Sequence, residues 1–405
     1  MKQRVTAIAV GVACFALGAT IQRLYDTRRP QQAQIPRPTP QPAAPAAQPP
    51  AAAAADFSKI DFSKEPLWAY GRTEPPKPGE TAAPQAPPTR NLRPGADPAE
   101  QTEMRHVEES KTEYSLVDIR DGSSVIDWFP EDHPPMPDII EHGPAAAGEQ
   151  KRGCGSCHLP NGKGRPENAS PAGLPAAYIL RQLNDFRNGL RHSADPRKAN
   201  TNTMILLAKA MTDEEMRQAA EYFSAVKWTP RFRVVETNLV PTTRIAGELY
   251  IATSNKRTEP IAGRIIEVPE DEEQTETLRN PRVGFVAYAP VGSIKRGKEL
   301  VTLGGMKIVN GQIVQGKTTA CGACHGTDLM GVAPDVPPIA GRSPSYLARQ
   351  IFDTQQGARN GSNSSVQLMK MVVDKLTPED IVAITAYLAS RPVPAAPAAQ
   401  LVARR

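Results

Sequence analysis

Six side chains in this sequence combine type and spacing in a way that supports chemistry. Cys154 and Cys157 are followed directly by His158, and Cys321 and Cys324 by His325. Two thiols three residues apart lie on one side of a helical turn, and the next residue projects beside them. That arrangement suits two thioether bonds to the vinyl groups of a porphyrin, with the histidine at its iron. Cys-x-x-Cys-His is the attachment pattern of c-type haem. Two other chemistries use the same residues. A zinc site can recruit two Cys-x-x-Cys pairs, but the histidine after each pair is then unexplained. A thioredoxin-like redox pair needs a βαβ context, and none is legible. The expected cofactors are two covalently bound haem c groups, held by Cys154, Cys157, Cys321 and Cys324, with His158 and His325 on the irons.

The residues downstream of the two motifs repeat. Tyr178-Ile-Leu-Arg-Gln182 matches Tyr346-Leu-Ala-Arg-Gln350, and Gly189 and Arg191 match Gly357 and Arg359. Thr212-Asp-Glu-Glu, followed by Glu221-Tyr222, matches Thr377-Pro-Glu-Asp, followed by Ala386-Tyr387. Met204 stands eight residues before Thr212, and the same offset before Thr377 selects Met369. These two methionines are the candidate sixth ligands, with Met371 the competitor of Met369. Met211 reads as a core residue. His133, Met136, His142 and His192 read as surface or arm residues rather than ligands.

The elements that must position these groups are helical. Ile179, Leu183, Phe186 and Leu190 fall on one helical face. Thr212 with Glu215 forms a capping box ahead of a helix lined by Met216, Ala219, Ala220 and Phe223. Thr377 caps the corresponding helix, Pro378 takes its first position, and Ile381, Ile384, Thr385 and Leu388 line it. The expected fold is mainly α: two small all-helical domains, at 145–228 and 294–392. An extended N-terminal arm (56–144) precedes them, and an irregular/β insert (229–293) separates them. Within the insert, 231–239, 263–268 and 284–288 are rich in Val, Ile and Phe. Within the arm, Tyr114–Ile119 reads as a short strand. Domains this small have marginal cores, and a buried macrocycle would supply the missing apolar centre.

Composition fills in the rest of the chain. It has 405 residues, of which 41 are proline, and aromatics make up only 5%, so the packed cores are small relative to the length. The net charge of +5 includes no basic run interleaved with aromatics, which argues against nucleic acid. Lys2 and Arg4 precede an uncharged stretch, Val5–Ile21, that reads as a membrane anchor or a cleaved export signal (1–29). Cys14 within it reads as a membrane-buried cysteine. Residues 30–55 form a Pro/Ala-rich linker able to extend on the order of 80 Å as polyproline II. Residues 393–405 read as a flexible tail.

The pattern Gly-x-x-x-x-Tyr-x-x-x-Gln-Leu/Ile occurs as Gly173…Tyr178…Gln182-Leu183 and as Gly341…Tyr346…Gln350-Ile351. Each copy lies ahead of Gly-x-Arg, and Met-(x)6-Leu/Met-Thr precedes each last helix. Each repeat therefore resembles the small class I c-type cytochromes, and the pair resembles the tandem diheme electron carriers of bacterial periplasms. The resemblance covers about 185 residues and leaves out the arm and the insert. It implies His/Met ligation by His158 with Met204 and by His325 with Met369, closed irons, and electron transfer without substrate turnover. The implied partners are other redox proteins: a dehydrogenase, a quinol-oxidising complex or a terminal oxidase. The implied location is the periplasmic side of the bacterial inner membrane. The resemblance also implies a proline carbonyl on the ring N–H of each histidine. Pro337 or Pro338 fits in the second repeat, whereas Pro171 in the first stands in a different register. Two alternatives remain: a cytochrome subunit of a membrane dehydrogenase or oxidase complex, and a diheme peroxidase-type enzyme, which needs one iron without its methionine.

Overall fold

The computed structural model describes residues 57–80 and 97–393. The expected anchor with Cys14, the linker and nearly all of the tail lie outside the described residues.

The segment expected as an extended arm folds into short elements. Three 3-10 turns (Phe57–Lys59, Phe62–Lys64, Leu67–Tyr70) make a strap. Helix α1 (Pro98–Thr102), the hairpin β1 (Met104–His106)/β2 (Glu113–Ser115), α2 (Leu116–Arg120) and α3 (Asp138–Glu141) follow. The strand expected over Tyr114–Ile119 stops at Ser115. There the Ser115 side chain takes the Asp118 N–H, and the Asp118 carboxylate takes the Ser115 N–H. That reciprocal cap starts a helix and overrides the local β-propensity. Val107, Leu116, Ile119, Trp128 and Phe129 form a small core there, closed by Leu278 of the insert.

The first repeat comprises the motif turn α4 (Cys154–His158), α5 (Ala176–Arg187), α6 (Ala199–Ala210) and α7 (Asp213–Ala225). Ile179, Leu183 and Phe186 of α5 meet Met216, Ala219, Ala220 and Phe223 of α7 in one core.

The insert is built of strands. β3 (Phe232–Glu236) runs parallel to β9 (Phe285–Ala289), which pairs antiparallel with β8 (Ile266–Pro269). Two ladders stand apart from that sheet: β4 (Leu239–Pro241) with β7 (Thr258–Pro260), and β5 (Thr243–Ala246) with β6 (Leu249–Ala252). "Mainly α" therefore describes the two repeats, and the protein as a whole is mixed. Phe232, Leu249, Ile251 and Phe285 join the core of the first repeat, while Ile265, Ala287 and Ala289 join that of the second. The sheet thus ties the two cores together by burying apolar area with each.

The second repeat comprises α8 (Ser293–Leu303), the hairpin β10 (Lys307–Val309)/β11 (Gln312–Val314), the motif turn α9 (Gly322–His325), α10 (Pro344–Gln355), α11 (Ser364–Val373) and α12 (Pro378–Ala389). α12 is buried almost all round, which explains its unbroken apolar run. Gly297 lets α8 approach it closely: a Cβ there would come within 2.6 Å of the Tyr387 Cβ. Among the described residues, no helix is long and apolar enough to cross a membrane.

Candidate haem sites

His325 is buried and His158 partly buried, and the two are oriented in the same way. His158 Nδ1 lies 2.9 Å from the Ala169 carbonyl, and His325 Nδ1 lies 2.8 Å from the Pro337 carbonyl. An N–H on Nδ1 donates to that oxygen and leaves the Nε2 lone pair for a metal. Burial holds both imidazoles below their ordinary pKa, hence neutral and competent to ligate. Ala169 stands four residues before Gly173 and Pro337 four before Gly341, so the two acceptors share one register counted from the glycine. Pro171 is not the acceptor. The bond needs only a carbonyl, so an alanine serves as well as a proline. The interval from histidine to acceptor is 11 residues in the first repeat and 12 in the second.

Cys154, Cys157, His158 and Met204 all line one cavity of about 150 Å³ in the first repeat, together with apolar side chains that include Ile179, Leu183, Leu207 and Phe223. Met211 lines it as well and is buried in the core. In the second repeat, Cys321 and Met369 both pack against one apolar cluster that contains Leu347, Ile351 and Ile384. Met371 is 71% exposed. Two residues apart on a helix, Met369 and Met371 face different sides, and only Met369 meets the core. The donor types are the same in each repeat: two thiols, a neutral imidazole and a thioether. They share one cavity in the first, and in the second Cys321 and Met369 share one apolar cluster, which fits a covalently attached haem with His/Met axial ligands. As free thiols, Cys154 and Cys321 would be pushed by burial up to about 12 and about 11. Among the described residues, no three His, Cys, Asp or Glu side chains converge on a metal position, so the two Cys pairs make no shared zinc site.

His133, His142 and His192 are engaged elsewhere, and none lines the cavity. His133, expected at the surface or in the arm, is a buried arm residue whose ring nitrogens contact Asp127 at 3.2 Å and Pro134 O at 2.9 Å. His142 bonds Ser123 O at 3.0 Å and His192 bonds Ser193 O at 2.8 Å. Met136 packs against the core of the first repeat.

The two motif turns differ in what surrounds them. A Cβ on Gly155 would meet Val125 at 3.0 Å and the Ile140 carbonyl at 3.4 Å, both from the arm. Arg279 of the insert also donates to the Ser156 carbonyl. At the matching Gly322, a Cβ would meet only Thr327 of its own loop, at 3.8 Å, and Cys324 is exposed.

Sequence reasoning found the repeated Tyr, Gln and Arg positions but not what they do. They meet one another across the interface between the repeats. Arg191 donates to Gln182 at 2.9 Å and to Gln350 at 2.8 Å, and Arg359 donates to Tyr178 and Gln182. Arg191 and Arg359 also face each other in an antiparallel bridge. Asp353 accepts from Ala194 N at 2.8 Å, and its repeat-mate Asp185 accepts from Ser362 N at 2.9 Å. The available signal was that these repeated residues are polar, where core packing would call for apolar ones.

The family model for Cytochrome c matches this chain twice, at residues 144–227 and 308–392. Cytochrome c-554(548) of Halomonas halodenitrificans is 41% identical over 75 residues, 18% of this chain and 88% of that protein. Cytochrome c4 of Azotobacter vinelandii is 38% identical over 81 residues, 19% of this chain and 39% of its own length. The thiosulfate dehydrogenase electron acceptor of Thiomonas intermedia is 24% identical over 251 residues, covering 62% of this chain and 83% of that protein. In its alignments with two cytochromes c4, the chain spans only 39% of the relatives' length.

Proposed function

The chain belongs to the cytochrome c family and carries two covalently bound haem c groups, and from that premise we propose that it is a diheme electron carrier, ligated by His158 with Met204 and by His325 with Met369. The haem irons supply the one-electron chemistry when bound. The protein contributes ligands, an apolar enclosure and a docking surface.

The observation that carries this reading is that both repeats present the same pair. Each has a neutral histidine held by a backbone carbonyl at 2.8–2.9 Å, and a methionine on the helix before the last that is turned toward the apolar core. Two protein ligands on each iron leave no position for a substrate, which favours a carrier over a peroxidase-type enzyme.

The donor we propose is a dehydrogenase of the same compartment. The support is the relative named as an electron acceptor of thiosulfate dehydrogenase, whose alignment is long enough to take in both repeats. Residues 1–29 read as an anchor or export signal and 30–55 as a spacer, so the compartment we propose is the periplasmic face of the inner membrane, with the protein tethered there.

Carbon monoxide tests this directly. The reduced protein is expected to bind it poorly, to turn over peroxide negligibly, and to exchange electrons rapidly with a periplasmic redox partner. Stoichiometric carbon monoxide binding at one haem, with peroxide consumption that disappears when that haem's histidine is replaced, would move the assignment to the enzyme.

A further inference from the structure

Each proximal histidine is oriented by a carbonyl in the loop after its motif, and the side chains that hold that loop include arginines of the other repeat. Arg349, on α10 of the second repeat, donates to the Pro166 carbonyl at 2.7 Å, three residues before Ala169. Arg342, just ahead of α10, donates to the Ser170 carbonyl at 2.7 Å and to the Ala172 carbonyl at 3.1 Å. The peptide that supports His158 is thus bracketed on both sides by the second repeat. The relation is reciprocal. Arg181, on α5 of the first repeat, donates to the Asp335 carbonyl at 3.2 Å and to its carboxylate at 2.7 Å, two residues before Pro337. Arg181 and Arg349 occupy the same place in the repeated Tyr-x-x-Arg-Gln.

Arg342 has no repeat-mate, because Leu174 stands at the matching position after Gly173. Its guanidinium is buried, lies 3.9 Å over the Trp228 ring and directs two donors at carbonyls. Charged donors make the stronger and better-aligned hydrogen bonds. A planar fork holds two carbonyls of one loop at a fixed separation, whereas the three donors of an ammonium rotate and impose no such spacing.

We propose that the two repeats position each other's proximal histidines: Arg342 and Arg349 set the Ala169 hydrogen bond to His158, and Arg181 sets the Pro337 hydrogen bond to His325. These arginines are positioning residues acting through the loop. A firmer Nδ1–H···O bond makes the imidazole a better donor to its iron, and such outer contacts tune reduction potential. Each iron's potential is therefore adjusted from across the interface.

The test uses the full-length protein with both haems, read by optical redox titration and by exchange of the histidine ring N–H in nuclear magnetic resonance. Arg342→Met and Arg349→Met are expected to change the oxidised-to-reduced ratio of the first haem about tenfold at fixed potential, ~59 mV for a one-electron couple. The His158 ring proton should exchange faster, and the second haem should stay within about twofold. Arg181→Met should do the reverse. Arg342→Lys keeps the charge but loses the rigid fork, so it should still shift the first haem.

A shift confined to the haem of the mutated repeat, equal at both haems, or absent would overturn the proposal. So would an Arg342→Lys protein identical to the parent, since the effect would then be one of charge alone. If the buried variants fail to fold, Arg181→Met, at a partly exposed pair, still separates a crossed shift from a local one. None of these readouts involves a redox partner, so failure of the carrier reading would leave the result standing.

Discussion

The two haem motifs are nearly the same five residues, yet they sit in opposite surroundings. The first is packed from outside. Val125 and Ile140 of the arm press on Gly155, and Arg279 of the insert holds the Ser156 carbonyl. The loop after it is gripped by Arg231 at Gly164 and by Lys198 at Glu167, each bond 2.9 Å, besides the arginines of the second repeat. The second motif leans mostly on its own loop, besides the contact of Arg181 with Asp335. Leu329 O takes the amides of Ile339 and Ala340, Val332 and Val336 bridge each other, and Cys324 is exposed. A motif therefore specifies the bond to the cofactor but not the access to it. Access is decided by the parts of the chain that do not repeat.

If the arm is the cover of the first site, removing its central anchor should damage that site and spare the other. Trp128 is buried, donates its indole N–H to Leu278 O at 2.8 Å and meets the Tyr114 ring edge-on at 4.9 Å. Trp128→Ala leaves a large void and strands the Leu278 carbonyl, a loss of about 3–5 kcal/mol. In a denaturant titration followed at each haem's absorption, the first haem's transition should move to lower denaturant and the second's should stay. Transitions that move together would show that the arm stabilises the whole molecule rather than one site.

What was legible in the sequence follows the same division. The motif residues, the capped helices and the apolar faces of α5, α7 and α12 could be read because each is a local pattern with a short period. Counting back from the threonine caps selected Met204 and Met369 for the same reason. The arm resisted because its elements are three to five residues long, too short for any period to show. Its strand was misjudged at Ser115, where a capping box begins instead. The Ala169 carbonyl was missed because a backbone acceptor carries no signature of residue type. The crossed arginines were visible as repeated letters, but their role depends on tertiary pairing across about 150 to 180 positions of sequence.

The methionines sharpen the comparison at the irons themselves. Met204 lines the first cavity, whereas Met369 comes from α11, whose outer face exposes Leu368 and Met371. Met204→Ala and Met369→Ala should each lower the potential of one haem by about tenfold or more in its oxidised-to-reduced ratio and abolish that haem's methionine–iron charge-transfer band. Met371→Ala should leave both bands intact. Because the second motif is less covered, Met369→Ala should admit carbon monoxide faster than Met204→Ala. A silent Met369→Ala alongside an active Met371→Ala would show that α11 presents its other face to the iron.

The smallest effect concerns the strap at 57–72, which lies against both repeats. Tyr70 donates to Asp353 of α10 at 2.9 Å, and Arg72 reaches the Arg197 carbonyl at 3.1 Å. Between those contacts, the Glu65 carboxyl is buried, with neither oxygen hydrogen-bonded to a donor. Burial foremost, and then the negative charge of Asp195, push its pKa up to about 8, with Asp353 adding to the shift and Arg197 opposing it. An unfolded glutamate titrates near 4.3, so the docked strap holds a proton that the released strap gives up. The stabilisation is fully present below about pH 4.5, declines as pH rises toward 8, and is gone above it. Hydrogen exchange of residues 57–72 should therefore accelerate between pH 6 and pH 9 relative to the intrinsic rate, while the motif turns stay protected. Glu65→Gln keeps a neutral group of the same shape and should flatten that dependence. If the glutamine variant loosens with the same pH profile, the proton is held elsewhere. Asp353 is then the next group to replace, because burial raises its pKa too and it accepts the Tyr70 hydroxyl.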